Sequence, residues 1–198
     1  MVKNWRQAWG QGNFPVLFVQ LPRIVKRSRW PEFRAAQEAC LAIPNTAMAV
    51  TIDQGHPTDV HPKEKEVVGR RLAHQALHKY YNYQNLLSAS PTLSSYEWLP
   101  EQRTFYLGFS NAGTGLKYSE GKKTIGFSLQ AYSKDGTKEL ILIPESIQIE
   151  GDTIKIIYPK ECWITTLKYA WAPFPENNIV NSTGLPMAPF KIELSGLD

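Results

Sequence analysis

Two short runs of unbroken apolar residues, FPVLFVQL at 14–21 and TAMAVTI at 46–52, constrain this chain most. Runs of this length suit strands, and apolarity without alternation marks strands buried on both faces, as in a parallel sheet. A helical pattern follows each run. Over 31–42, Pro31 fits a first helical position, and Phe33, Ala36, Gln37, Cys40 and Leu41 recur at helical spacing until Pro44-Asn45. After a loop over 53–61, Pro62 opens a second helix to Tyr80, with Val67, Val68, Leu72, Ala76 and Tyr80 on one face and Lys63, Glu64, Glu66 and Arg70 on the other. This βαβα order predicts neighbouring parallel strands joined by a right-handed crossover. Two strands cannot cover both faces of a sheet, so further strands are expected upstream or from another chain, and apolar surface around 14–52 without them.

Beyond Tyr83 the pattern changes. Residues 84–103, rich in Ser and Pro, read as a linking loop. Short β-like runs follow at 104–110, 124–132, 139–143, 146–150, 153–158 and 163–170. The alternation of IQIEGDTIKI around Gly151-Asp152 is a clear hairpin signal, and strands at this spacing suggest an antiparallel β-sandwich. The Pro- and Asn-rich tail, 171–192, is expected to pack as ordered coil. The fold expected is therefore α/β plus β: the C-terminal half of a doubly wound sheet over 1–83, then a β-sandwich module over 84–198.

Composition narrows the classes of function. Of 198 residues, 42 % are hydrophobic and 12 % aromatic, enough for a packed core and against disorder. The net charge of +4 comes without a nucleic-acid-binding motif, so no nucleic-acid partner is expected. No apolar run is long enough to span a membrane, and Met1 to Gly12 lacks the apolar region of a signal peptide. Cys40 and Cys162 form no disulfide framework and are expected as free, mostly buried thiols.

Reactive side chains concentrate in Asp53-Gln-Gly-His56-Pro-Thr-Asp59-Val-His61-Pro62, directly after the second strand. Open α/β sheets bind ligands outside the carboxyl ends of their strands. His61, on such a loop and just before a helix, is well placed as a general base, because imidazole titrates near neutrality. A carboxylate nearby would fix its tautomer. Turn chemistry alone accounts for many of these residues as a helix-capping surface loop.

The stretch AMAVTIDQGHPTDVHPKEKEVVGRRLA (47–73) resembles the last catalytic block of the sialate O-acetylesterases, a family of SGNH-type hydrolases. WRQAWGQGNFPVLFVQLP (5–22) resembles the segment before it, and KYAWAPFPENNIVNSTGLPMAPF (168–190) the family's C-terminal end. The resemblance spans nearly the whole chain. It implies a carbohydrate esterase acting on O-acetylated sialic acid or a xylan-like glycan, without metal or organic cofactor, in a periplasmic, secreted or, in a eukaryote, lysosomal setting. His61 matches the catalytic base and Asp59 is the candidate acidic partner. Asp59 stands two residues before the histidine where many SGNH hydrolases place it three before, so Asp59, Asp53 or a backbone carbonyl could orient His61. The family's Gly-Asp-Ser-type nucleophile block and its oxyanion-hole blocks have no counterpart here. The serine is thus expected upstream or on another chain, and this chain by itself is expected to be inactive. The alternative is a non-catalytic remnant whose β-module binds glycan or packs against another domain.

Three further groups complete the candidates. Arg23 and Arg27 leave the first strand at the sheet edge that His61 shares; they are either a solvated loop or a bidentate grip on a substrate carboxylate. Gln20 closes the first strand and is either an ordinary strand-end amide or a residue at the rim of the site. His74 and His78 stand one helical turn apart but lack a third ligand and a glutamate base, which argues against zinc. The six tryptophans show no single-face pattern and read mainly as core. Asn181-Ser-Thr is a glycosylation sequon.

Overall fold

A computed structural model describes residues 1–121, 123–159 and 162–194. The two apolar runs form parallel strands, β1 (Val16–Val19) and β2 (Thr46–Ala49), in register from Val16 opposite Thr46 to Val19 opposite Ala49. The intervening helix α2 spans Trp30–Ala39, with Pro31 in its first turn, and tightens into a 3₁₀ turn over Cys40–Ala42. Ahead of them lies a helix the sequence reading omitted, α1 (Val2–Trp9), which stops where Gly10 adopts φ 63° and returns its N–H to the Arg6 carbonyl. Arg6 is buried, and its guanidinium donates to the carbonyls of Phe14 and Pro44.

Helix α3 spans Glu66–Tyr80 and begins four residues after Pro62, the expected start. Its expected apolar stripe is only half-buried, and the residues it buries fully are Arg71 and Gln75. The reason lies on the edge of β2 away from β1. At i, i+4 and i+8 along α3, Arg71 donates to Val50 O (2.8 Å), Gln75 to Met48 O (3.2 Å) and Lys79 to Thr46 O (3.0 Å). Three helical side chains thus satisfy alternate carbonyls that a further strand would otherwise bind. The outer edge of β1 is capped at its end, where the Gln37 amide of α2 bonds Val19 O and Leu21 N (2.9 and 2.8 Å). β1 is half-exposed at all four positions, whereas β2 is wholly buried.

The rest of the chain is antiparallel β. One four-stranded sheet has the order β3 (Thr92–Leu99), β4 (Thr104–Ser110), β9 (Thr153–Ile157), β8 (Ser146–Glu150). The other runs β12 (Phe190–Glu193), β10 (Cys162–Tyr169), β6 (Phe127–Ser133), β7 (Glu139–Leu142). A short pair, β5 (Lys117–Tyr118) with β11 (Ile179–Val180), lies beside them. Inward residues of both sheets, among them Phe105, Leu107, Leu129, Ile154, Ile156 and Leu167, form one core, and Met48, Val50 and Ile52 of the α/β part belong to the same cluster. The β8–β9 hairpin turns at Gly151 (φ 62°), as its alternation predicted.

Several expectations need correction. Residues 92–99 of the supposed linking loop are strand β3, whose register shifts between Leu93 and Ser95 and so breaks the alternation that would have marked it. The tail contains β11 and β12. Cys40 is exposed rather than buried, and Cys162 is half-buried, packed against the edge of the core. The two expected parallel strands do pair, as a two-stranded sheet among the described residues of a β-rich chain, and the wider doubly wound sheet expected around them is not shown.

Candidate active-site loop

The loops after β1 and β2 run side by side, as a parallel pair requires. Arg23 N–H donates to Gln54 O (2.8 Å) and Val25 N–H to Pro57 O (2.9 Å), with Arg23 and Gly55 paired as a parallel bridge. The approach is close enough to exclude a side chain at Gly55: a Cβ there would overlap the Arg23 carbonyl and lie 2.7 Å from its nitrogen, at φ 129°.

The loop is anchored at its start. Asp53 receives two charge-assisted bonds from Arg71, both 2.6 Å, and a third from Gln54 Nε2 at 3.0 Å. Burial pushes the Asp53 carboxyl up, but the Arg71 bonds and charge outweigh it and hold it below the ordinary carboxylate range. Both oxygens of Asp53 therefore serve Arg71. At the far end, Asp59 Oδ1 accepts the backbone N–H of His61 (2.8 Å). The Nδ1 atom of His56 accepts the N–H groups of Asp59 (3.1 Å) and Thr58 (3.3 Å), which requires the tautomer carrying its proton on Nε2. His61 itself is exposed, and Asp59 reaches it through the backbone amide and not the ring.

The remaining candidates are dispersed. Gln20 lies at 0 % exposure, and neither amide atom has a partner among the described residues; its backbone carbonyl accepts Thr51 Oγ1 at 2.6 Å. Arg23 donates to Asp53 O (3.0 Å) and Pro175 O (3.4 Å), and its guanidinium lies 4.8 Å from the centre of the Phe174 ring. Arg27 is exposed on the same loop. Among the described residues no three His, Cys, Asp or Glu side chains cluster as metal ligands, and His78 Nδ1 lies 3.3 Å from Tyr83 O.

Three buried arginines do work that the sequence reading missed. Arg71 fixes the loop, Arg6 ties α1 to the ends of the strand pair, and Arg34 bonds Leu21 O, Pro22 O, Ala172 O and Pro173 O at 2.7–2.9 Å with no exposure. Together with Arg23, Arg34 seats the Ala172-Pro-Phe-Pro175 segment against the loop after β1. Charge on a helix reads as solvated surface, so the sequence pattern carries no signal for these clamps. Asn181 of the sequon is buried, and its Nδ2 donates to Ala89 O and Asn111 O (3.2 and 3.1 Å), so a glycan there would require that link to break.

No family model matches the chain, and no curated protein matches it. Among solved structures it is similar to a carbohydrate acetylesterase from Xanthomonas citri, at 30 % identity and a TM-score of 0.85, over 98 % of this chain. The chain spans 44 % of that protein's length.

Proposed function

We propose that this chain is part of a carbohydrate O-acetyl esterase, resembling the sialate O-acetylesterases, in which His61 is the general base and residues outside this chain supply the serine and the oxyanion donors. The observation that carries the reading is the likeness, over nearly the whole chain, to an acetylesterase more than twice as long. The setting of His61, on the loop that leaves the carboxyl end of a parallel strand, supports it. In this reading the serine attacks the acetyl carbonyl as His61 takes its proton, and His61 passes that proton to the departing sugar oxygen to leave an acetyl-serine. His61 then takes a proton from water, which attacks the acetyl-serine and releases acetate as the proton returns to the serine. Asp59 holds the His61 backbone in place, and Gln20 lines the strand end. Arg27, whose side chain is exposed, is better suited than the engaged Arg23 to meet a sialate carboxylate.

The test pairs this chain with the missing part, as a continuous protein or by co-expression. Hydrolysis of p-nitrophenyl acetate is expected only in the complete assembly, with His61→Ala lowering kcat by at least about a thousandfold. Strong turnover by residues 1–198 alone would sink the reading, since it would demand a nucleophile within this chain. Asp59→Asn keeps an oxygen for the His61 amide and is expected to cost less than about tenfold. A loss near ten-thousandfold would mean instead that the carboxylate orients the ring.

A further inference from the structure

We propose that a cleft at one end of the β-sandwich, between Trp98 and Trp163, is a binding site for a neutral sugar ring, separate from the His61 loop. The cleft has a volume of about 370 Å³, and none of its lining residues precedes Trp98 in the chain. That size lies within the range of small-molecule sites.

The two indoles lie 65 positions apart in sequence and share one cleft because Trp98, near the end of β3, and Trp163, near the start of β10, come to the same side of the sandwich. Trp163 projects from β10 with 44 % of its surface exposed, although its indole N–H is already bonded to Lys134 O at 3.0 Å. Trp98 is half-buried, with its N–H on Tyr158 Oη at 3.1 Å and its ring stacked on Phe105 at 6.1 Å and 12°. Both rings are therefore fixed by bonds within the protein, and what they offer a ligand is apolar surface. An immobilised, solvated indole forgoes burial but loses little freedom on binding, a combination that serves recognition better than stability.

Polar groups border the rings. Arg103, held through Nη1 by Tyr158 O (2.8 Å) and Glu145 (3.1 Å), and Glu101 supply charge of both signs, with Lys134 beyond. A field of mixed sign selects against a strongly charged ligand. Flat apolar surface beside paired donors and acceptors suits a ring with C–H faces and equatorial hydroxyls. That chemistry is a neutral pyranose.

The choice of a sugar rests on the carbohydrate reading above, but binding can be measured without hydrolysis. Failure here would leave the esterase proposal standing, and an inactive complete enzyme would leave this one standing. Residues 1–198 would be titrated with xylopentaose, cellopentaose, mannopentaose and sialyllactose, by calorimetry and by following tryptophan indole N–H signals in ¹⁵N-labelled protein. At least one neutral pentaose is expected to saturate below about 10 mM and to shift the Trp98 and Trp163 signals, with the other four tryptophans unmoved. Trp163→Ala should weaken binding at least about tenfold, Trp163→Phe less, and His61→Ala not at all. The signal shifts in the unsubstituted protein decide the matter should Trp163→Ala misfold. No saturable neutral sugar, shifts confined to other tryptophans, or preference for sialyllactose would each overturn the proposal.

Discussion

At the scale of single residues, buried charge organises the α/β part. Arg71 is nearly inaccessible, and Asp53 is its counter-ion at two short bonds. Removing the carboxylate charge leaves the guanidinium desolvated without compensation. With Asp53 about 30 % exposed, Asp53→Asn is expected to cost about 2 kcal/mol at neutral pH, below the range for fully buried pairs. The pH dependence follows from the direction of the shift. The folded-state pKa of Asp53 lies below its unfolded value, so its contribution is full above the unfolded pKa and is lost as pH falls through the folded one. Urea unfolding should therefore show the gap between wild type and Asp53→Asn widest near pH 7 and closing as pH falls below the ordinary carboxylate range. A gap that persists undiminished at low pH would mean that the carboxylate charge is not what stabilises the loop.

At the scale of elements, α3 acts as a substitute strand. Its Arg71, Gln75 and Lys79 follow the helical repeat while the carbonyls they bind, Val50, Met48 and Thr46, follow the strand repeat, so the two periods meet along one edge. Gln75→Leu fills similar volume but strips the donor from Met48 O and Ser88 O, both buried. It is expected to destabilise the protein by about 2 kcal/mol, measurable as a lowered urea midpoint; no change would show that relaxed backbone or water replaces the amide. This same edge explains what sequence patterning could and could not read. The parallel pair was legible because its apolarity is unbroken, and the β8–β9 hairpin because alternation frames a Gly-Asp turn. The α3 seam was not, since its most buried positions are an arginine and a glutamine, and β3 was hidden by its irregular register and serines. Of the candidate site, the loop and its place at the strand ends were legible; the pairing of Asp53 with Arg71 was not, because the helical pattern assigns Arg71 to neither face.

At the scale of the whole molecule, the α/β segment and the sandwich are joined by packing and by hydrogen bonds, the most deeply buried of them from Arg34. Met48, Val50 and Ile52 lie in the same cluster as the inward faces of both antiparallel sheets, and Arg34 links Leu21 and Pro22 to Ala172 and Pro173 across about 150 positions of chain. A charged group with no exposure, holding four carbonyls from two distant segments, is hard to replace: an apolar residue leaves those acceptors short of donors, and a smaller one adds a cavity. Arg34→Met is therefore expected to cost at least about 3 kcal/mol. Because the side chain spans both parts, the loss should lower them together. Tryptophan fluorescence and far-ultraviolet circular dichroism should give coincident urea transitions in the wild type and, at lower urea, in Arg34→Met. Residues 1–83 expressed alone should fail to fold, since the surface that β2 and its following residues bury against the sandwich would be open to water. Separate transitions for the two probes, or a stable 1–83 fragment, would show instead that the shared core is a contact between two independently folded units, and that the loop bearing His61 is held by the α/β segment alone.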